Sequence, residues 1–303
     1  MMHHSNNKGF VLIYIVSMVV FIAAALVLFQ AKSLTFTKRL DVLFKEVDAL
    51  YMAYSPVMLS KMVIKEDIKN NQYDGIGDNW YSFKKPRSFP VEGGDISLMI
   101  NDAGAVPDIN SLFTGATVTN DSLMPVMQSY FSGLHISKKF VAVLADWVDY
   151  GSISNRFGGT EYSPVNGAIV ANKNILSPAD IRLASGYTEK MEPLLGNAVS
   201  YLPSSAPINV NTASPAFLKA IFSDGSARVN HVTSQREREV FVALGDFYES
   251  LGVNEPTKAV ELGAQTTYFT TQAQITMHGV EKKVESLFER RRGKVILRRL
   301  LWN

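Results

Sequence analysis

The sequence predicts an α+β fold in which a long N-terminal helix packs on a small antiparallel sheet and an all-α domain is inserted between the strands. Three observations carry this prediction. Residues 10–29 form an uncharged apolar run, residues 33–69 contain no glycine, and strand-like segments lie on both sides of a helical middle region. The alternative is a chain of two domains whose last strands form a sheet of their own.

The apolar run predicts a membrane-spanning helix. About 20 helical residues cover roughly 30 Å, the thickness of the hydrocarbon core. A secretory signal peptide places its small-residue cleavage site after the apolar stretch. Here the peptidase-like site precedes it, between Gly9 and Phe10, so that cleavage leaves the helix in place. An ordinary signal anchor is the alternative, and Lys32, Lys38 and Arg39 beyond the span weaken any inference about orientation.

The helix is expected to continue beyond the membrane. Apolar residues recur at Leu40, Phe44, Val47 and Tyr51, which is close to the spacing of one helical face. No glycine or proline occurs between Phe10 and Tyr54, and this favours one continuous helix over a separate helix after a loop. An interruption is predicted near Ser55-Pro56 because proline breaks helices.

Composition excludes several classes of function. The chain has 303 residues, a formal net charge of +2 and no cysteine, so disulfides, thiolate metal sites and thiol catalysis are excluded. The five histidines show no metal-ligand spacing, and no hydrolase or nucleotide-binding motif is present. The sequence therefore gives no indication of an enzyme.

Strand patterns flank the helical region. Ile96–Ile100, a turn at Asn101–Gly104 and Val106 predict a hairpin of two short strands. Near the C terminus, three strands are predicted at 266–277, 280–289 and 294–301, with residues 290–293 as a hairpin turn. Two strands alone are marginally stable, so the upstream helix is expected to cover one face of the sheet.

The middle region is predicted to be all-α, in two sub-bundles that meet near residues 201–207. A helix is expected at Lys138–Val148, and two helix starts carry a serine cap followed by proline, at Ser177 and Ser214. A fourth, long helix is predicted at Ser234–Leu251.

Several stretches of this sequence are similar to the K-type minor pseudopilins of the type II secretion system. The Gly9-Phe10 junction resembles the N termini of type IV pilins and of pseudopilins. The other stretches that carry the likeness are Phe89–Ile96 with Asn101–Gly104 and Asn110–Leu112; Asp146–Asp149 with Gly158–Tyr162 and Asn166-Gly167; Ile208–Pro215; and the run from Tyr268 to Arg299.

The resemblance implies a pilin-like fold with two inserted SAM-like helical subdomains. It implies a non-enzymatic subunit at the tip of the pseudopilus, bound to I-type and J-type minor pseudopilins and to the inner-membrane secretion platform, which supports export of folded proteins. A prepilin peptidase would cleave before Phe10, which is then N-methylated. Tyr14 stands fifth from Phe10, where most pilins carry a glutamate that pairs with the subunit above. A tip subunit does not need that charge, although Tyr14 packing on lipid or protein is the alternative.

The resemblance and the patterns together predict a single-pass inner-membrane protein with its bulk in the periplasm. A minor pilin of a type IV pilus system is the alternative. The predicted segments are a leader at 1–9, a transmembrane or fibre-core helix at 10–30, the first part of the pilin-like domain at 31–115, helical subdomains at 116–205 and 206–262, and closing strands at 263–303.

The resemblance also implies calcium binding in the helical domain. The candidate ligands are Asp146, Asp149, Asn155 and Glu161, which provide the oxygen atoms that calcium prefers. Asp149-Tyr150-Gly151 and Glu161-Tyr162 each lack a carboxylate that related sequences tend to have. The alternative is a solvated or capping role for the same residues.

DNA binding is the last alternative. The segment from Asn209 to Ala213 resembles the opening of helix-hairpin-helix domains, but residues 222–226 offer one glycine beside an acid instead of a Gly-x-Gly hairpin. The basic residues between Glu281 and Arg299 fit an exposed strand edge, where positive charge discourages pairing with other chains. No nucleic-acid partner is therefore expected.

Overall fold

The computed structural model describes residues 8–68, 72–113, 120–151, 157–160, 172–222, 226–253 and 259–302. Two helices, α1 (Lys8–Met52) and α2 (Tyr54–Asp67), form an almost continuous rod, which we call the stalk helix. The segment Gly9–Asp67 is long and apolar enough to cross a membrane, and its most apolar window has no buried residue. The predicted continuity beyond the membrane segment is confirmed.

The interruption falls at Ala53, close to the predicted position. Pro56 is the third residue of α2, where a missing backbone N–H costs nothing. Its ring would clash with the carbonyl of Met52 in an unbroken helix, which accounts for the end of α1 at that residue. Ala53 itself keeps helical dihedral angles.

The sheet has five antiparallel strands, which lie side by side in the order β1 (Arg87–Val91), β2 (Gly94–Asp102), β5 (Tyr268–Met277), β6 (Val280–Arg291) and β7 (Lys294–Trp302). β2 pairs with β5 from Gly94↔Met277 to Asp102↔Phe269, so strands from before and after the helical region share one sheet. The alternative of a separate C-terminal sheet is therefore wrong.

The predicted position of the turn in the first hairpin is wrong. The turn lies at Glu92-Gly93, and Gly93 has a φ of +84° that favours glycine. Asn101 and Asp102 belong to β2, because pairing with β5 continues through both residues. Val106 lies in a turn instead of a second strand.

The stalk helix covers one face of the sheet, as predicted. Ala49, Ala53, Val57 and Ile64 point from the helix into a core that also contains Leu98, Ile100, Phe269, Ile275 and Phe288 of the strands. The two alanines let the helix backbone approach the sheet closely. Burial of these apolar side chains, at about 25 cal/mol per Å², holds the helix in place.

The helical block lies between β2 and β5. Its core is one continuous cluster that runs from Ile109 to Leu262. The helices are α3 (Leu123–Gly133), α4 (Lys138–Val148), α5 (Pro178–Ile181), α6 (Glu192–Leu195), α7 (Pro215–Ile221), α8 (Ser226–Arg236) and α9 (Leu244–Leu251).

Three predicted helices of this block are confirmed. α4 has the predicted bounds. Asp180 Oδ2 accepts the backbone N–H of Ser177 at 3.1 Å in a capping box, and Ser214 Oγ accepts the N–H of Phe217 at 3.2 Å. Both serines therefore cap helices that begin with proline.

The predicted helix at Ser234–Leu251 is wrong. α8 ends at Arg236 and α9 begins at Leu244. Between them, the side-chain amide of Asn211 accepts the N–H of Phe241 at 2.8 Å and donates to its carbonyl at 2.9 Å. These two bonds use the backbone groups that a helix would need, and they place the Phe241 ring in the core.

Each half of the helical block is closed at its base. Asp108 pairs with Ser200 in a parallel bridge, in which the N–H of Ser200 donates to the carbonyl of Pro107 at 2.9 Å and the N–H of Ile109 donates to the carbonyl of Ser200 at 3.1 Å. In the second half, the short strand β3 (Ile208–Asn209) pairs in parallel with β4 (Leu262–Gly263). The predicted all-α region therefore contains one small strand pair, which brings both ends of the second half beside the five-stranded sheet.

Candidate functional site

The N-terminal part of the stalk helix projects from the rest of the fold. Gly9 and Phe10 lie in the first turn of α1, and Phe10 is 76% exposed. Tyr14 is 66% exposed. Such a surface is stable only among lipids or other apolar helices. Cleavage before Phe10, methylation of Phe10 and the tip role of Tyr14 stay predictions, and residues 1–7 lie outside the described part of the chain.

A second apolar surface continues along the stalk beyond the membrane segment. It consists of Phe44, Val47, Tyr51, Met58 and Met62, which we call the stalk face. Their spacing places them on one side of the helix, opposite the side that packs on the sheet. Tyr51 is 81% and Met62 68% exposed. A continuous exposed apolar stripe of this kind indicates a surface that binds another protein.

The predicted calcium ligands are only partly described. Asp146 and Asp149 are both buried at the C-terminal end of α4, while Asn155 and Glu161 lie outside the described residues. Asp149 Oδ1 accepts the N–H of Gly151 at 2.9 Å, and burial raises the pKa of its carboxyl. Two carboxylates and the nearby helix-end carbonyls are the kinds of oxygen ligand that fit calcium, although fewer than the six to eight that it takes. Metal binding here stays a prediction.

The segment Asn209–Thr212 is the junction between the helical block and the sheet. Asn209 Nδ2 donates to Thr266 Oγ1 at 2.9 Å and to the carbonyl of Asp74 at 3.1 Å. Thr212 Oγ1 donates to Asp102 Oδ2 of β2, which also accepts the hydroxyl of Thr266 at 2.7 Å. All of these side chains are buried.

The burial of these side chains gives the helix-hairpin-helix-like segment a structural role that needs no nucleic acid. A helix-hairpin-helix domain presents backbone amides to phosphate. Here the Asn209–Thr212 segment that opens the motif is buried inside the protein, and the N–H of Asn211 donates to Asn209 Oδ1 at 3.0 Å, while residues 223–225 of the hairpin lie outside the described residues. The motif therefore joins two parts of the fold.

Asp74 is the hub of the junction. Its carboxylate accepts the N–H of Thr266 at 2.6 Å and the indole N–H of Trp80 at 3.2 Å. Its own N–H donates to the carbonyl of Ala264 at 2.8 Å. Arg290 of β6 makes a two-pronged contact with the same carboxylate, at 2.9 Å between Nη1 and Oδ1 and through Nη2 to Oδ2. One residue thus holds the helical block, the sheet and the loop after the stalk together.

Two further carboxylates surround the hub. One oxygen of each of Asp67, Asp74 and Asp78 lies within 4.8 Å of the others, and all three residues are buried. Among the described residues, this is the group with metal-like acid spacing, and it does not include the predicted calcium ligands. Because the guanidinium of Arg290 lies among these carboxylates, it already supplies a positive charge there.

Burial controls the protonation of these acids. Desolvation, the hydrogen bond to Asp74 and the charges of Asp78 and Asp74 raise the pKa of Asp67 to about 8, and Arg290 opposes them. Desolvation also raises the pKa of Asp102 to about 6, against the hydrogen bonds from Thr212 and Thr266. Asp108 behaves in the same way, with a pKa raised to about 6 by burial.

Sequence reasoning missed this group. The spacing of Asp67, Asp74 and Asp78 matches no motif, and the partner Arg290 is far away along the chain. The sequence pattern predicts Arg290 in an exposed hairpin turn, whereas its side chain is largely buried at the hub. The sequence around Arg290 gives no indication that its side chain contacts a carboxylate that is distant along the chain.

Comparisons with known proteins agree with the predicted family. Residues 208–271 match the family model described as type II secretion system (T2SS), protein K. This segment begins at β3 and includes Asn209, Thr212 and Thr266 of the junction. The Type II secretion system protein K of Pseudomonas aeruginosa (strain PAO1) is 25% identical over 265 residues, which cover 82% of this chain and 78% of that protein.

A solved structure shares the fold. A chain in the crystal structure of the GspK-GspI-GspJ complex from the enterotoxigenic Escherichia coli type 2 secretion system superposes with a TM-score of 0.74. The two chains are 22% identical, and the match covers 88% of this chain and 99% of that one. The predicted pilin-like fold with an inserted helical domain is thereby confirmed. Together, the family model, the curated relative and the shared fold confirm the resemblance of this chain to the K-type minor pseudopilins of the type II secretion system.

Proposed function

We propose that this protein is a non-enzymatic minor pseudopilin that caps the tip of the type II secretion pseudopilus, supports its initiation, and so serves the export of folded proteins across the outer membrane. The observation that carries the proposal is the exposed apolar surface of one helix, from Phe10 through the stalk face. Such a helix needs neighbours both inside the bilayer and beyond it.

The position of the helical block supports a place at the tip. Asp67 ends the stalk helix at the end away from the membrane segment, and it lies beside Asp74 and Arg290 at the junction. The helical block therefore stands at the upper end of the stalk. In a fibre of parallel stalks, a subunit stacked above would meet this block. Tyr14 offers no negative charge to such a subunit.

The proposed partners are an I-type and a J-type minor pseudopilin. The structural relative was crystallised in a complex named GspK-GspI-GspJ, and the shared fold makes the same kind of partner reasonable here. We assign the stalk face to helix–helix contact with these partners. The inner-membrane secretion platform would hold the subunit before assembly.

The proposed location is the inner membrane, crossed once, with the bulk of the chain in the periplasm. The single apolar helix among the described residues fits such an anchor. Prepilin peptidase would cleave between Gly9 and Phe10 and methylate the new N terminus. The comparisons do not favour a type IV pilus subunit or a DNA-binding protein.

Calcium binding by the loop after α4 is a further part of the proposal. Asp146 and Asp149 would provide carboxylates, with Asn155 and Glu161 as the other protein ligands. Two buried carboxylates near the end of one helix support it, because a bound cation would offset their cost of burial.

The test of the proposed function is assembly with the partners. The full chain in detergent micelles is mixed with purified I-type and J-type pseudopilins, and complex formation is measured by size-exclusion chromatography with light scattering. We expect a one-to-one-to-one complex. The double variant Tyr51→Lys/Met58→Lys places two charges on the stalk face and should weaken the complex at least tenfold.

The matched control is Leu176→Lys, which adds a charge at another exposed apolar residue, in the helical block. It should assemble like the wild type. Assembly of the chain into homopolymers without the partners would contradict a role at the tip, and equal loss in both variants would remove the stalk face from the interface.

A further inference from the structure

The acids around the hub outnumber the bases. Asp67, Asp74 and Asp78 face one guanidinium, that of Arg290, and the side chains of Asp67 and Asp74 are almost fully buried. If all three acids were ionised, the group would carry a net charge of −2 in the interior. Buried charge without compensation is costly, and the usual result is that one acid keeps its proton.

The contacts identify which acid that is. The guanidinium of Arg290 makes its two-pronged contact with Asp74, which also accepts two N–H groups, from Thr266 and Trp80. Asp78 Oδ2 accepts the N–H of Gly75 at 2.7 Å. Both residues therefore have donors that stabilise an anion.

Asp67 is placed differently. Asp67 Oδ2 accepts one hydrogen bond from Arg290 Nη1 at 3.3 Å, which is longer than the bond of 2.9 Å that the same nitrogen donates to Asp74 Oδ1. One carboxylate oxygen of Asp67 lies within 4.8 Å of an oxygen of Asp74, and a hydrogen bond between two carboxyl groups requires a proton on one of them. The charged groups that act on Asp67 are Asp74 and Asp78 of the following loop and Arg290 of β6, and the charge of Asp74 also acts on Asp102 of β2.

We propose that Asp67 is a neutral acid that donates its proton to Asp74, and that this shared proton fastens the upper end of the stalk helix to the hub. Asp74 also holds Ala264 and Asn209 of the helical block. The shared proton therefore links the stalk to both the sheet and the block.

The arrangement is sensitive to pH. Loss of the proton would place two anionic oxygens within 4.8 Å of each other at the hub, so the junction is tight at mildly acidic pH and loosens under alkaline conditions. The raised pKa of Asp67 gives the sign. The folded state holds a proton that the unfolded state has released above about pH 4, so stability from this group falls as pH rises towards 8.

The test uses the full chain in detergent micelles, unfolded thermally between pH 5 and pH 9. Asp67→Asn supplies a permanent N–H donor in place of the shared proton. Relative to the wild type, this variant should gain about 2–4 °C in melting temperature between pH 6 and pH 9. At pH 8.5 and above it should be at least as stable as the wild type.

The opposite outcome is equally clear. If Asp67 acts as an anion paired with Arg290, Asp67→Asn removes an ion pair and lowers the melting temperature by a similar amount at every pH above about 5. That result would overturn the proposal. The control Asp48→Asn changes an exposed acid in the α1 part of the stalk helix. Its melting temperature should depend on pH in the same way as that of the wild type.

Hydrogen exchange of the wild type gives a second readout that needs no variant. After correction for the intrinsic pH dependence of exchange, peptides that cover residues 60–68 and 72–80 should lose at least threefold protection between pH 6 and pH 9. Peptides from β5 serve as the internal reference. Unchanged relative protection at the stalk end would also overturn the shared proton.

Discussion

The ring of Trp302 packs edge-on against the ring of Tyr54, with centroids 5.2 Å apart. Trp302 ends β7, and Tyr54 begins α2 directly after the break at Ala53. The contact therefore joins the edge strand of the sheet to the stalk helix beside the break between α1 and α2. Aromatic pairs of this geometry contribute about 0.5–1.5 kcal/mol beyond their buried area.

Removing the tryptophan should loosen this end of the sheet. We expect Trp302→Ala to lower the free energy of unfolding by about 1–3 kcal/mol, because both the ring pair and buried area are lost. Trp302→Phe keeps a ring for the edge contact and should lose less than half as much. The measurement is chemical unfolding of the full chain in micelles, and equal losses in both variants would rule out the ring pair as the cause.

The hydroxyl of Thr212 should stabilise the junction most when Asp102 is charged. Thr212→Val removes one donor to that buried carboxylate, which costs about 1–3 kcal/mol at pH 7.5. The pKa of Asp102 is raised to about 6, so at pH 5 the acid is neutral and needs the donor less. The loss should therefore shrink as pH falls from 7.5 to 5, as measured by thermal unfolding at both values.

Thr233→Val is the matched control for this experiment. Its hydroxyl donates to the carbonyl of Asn230 in its own helix, at 2.9 Å, and forms no hydrogen bond with an acid among the described residues. The effect of Thr233→Val should not depend on pH. A loss in Thr212→Val that is constant with pH would show that Asp102 is not the group that the hydroxyl supports.

Local signals in the sequence predicted most elements of the fold. The absence of glycine and proline between Phe10 and Tyr54 predicted the first part of the stalk helix, the serine-proline pairs predicted two helix starts, and residues that suit a pleated surface predicted the C-terminal strands. Where a distant residue decides the local structure, prediction went wrong. Asn211 binds the backbone of Phe241 and divides the predicted helix at Ser234–Leu251, and pairing with β5 extends β2 through a predicted turn.

The junction could not be predicted from the sequence, because it also depends on contacts between residues that are distant along the chain. The motif around Asn209 was recognised as a family feature, but its role depends on Asp74, Asp102 and Thr266, which the fold brings together. By contrast, helical periodicity alone predicts that Phe44, Val47 and Tyr51 share one apolar side of the helix. Which of its residues stay exposed depends on the side of the helix that the sheet covers.

Calcium should stabilise the protein if the loop after α4 binds it. We expect the melting temperature to rise by several degrees as free calcium increases to millimolar concentration, because a ligand that binds the folded state shifts unfolding by mass action. Asp149→Asn should remove most of this shift. An equal rise in wild type and variant would place the ion elsewhere, and no rise at millimolar calcium would remove the site.

The mature N terminus tests the anchor from which the proposed function begins. Mass spectrometry of the native protein should find a chain that starts at Phe10 and carries one N-methyl group. Gly9→Val should block this processing, since the peptidase site needs a small residue before the cut. A side chain at position 9 has no atom within 4 Å to disturb, so the variant should fold normally and keep its leader. Native protein that retains Met1, or that begins after Phe29, would contradict a helix that survives maturation to join the pseudopilus.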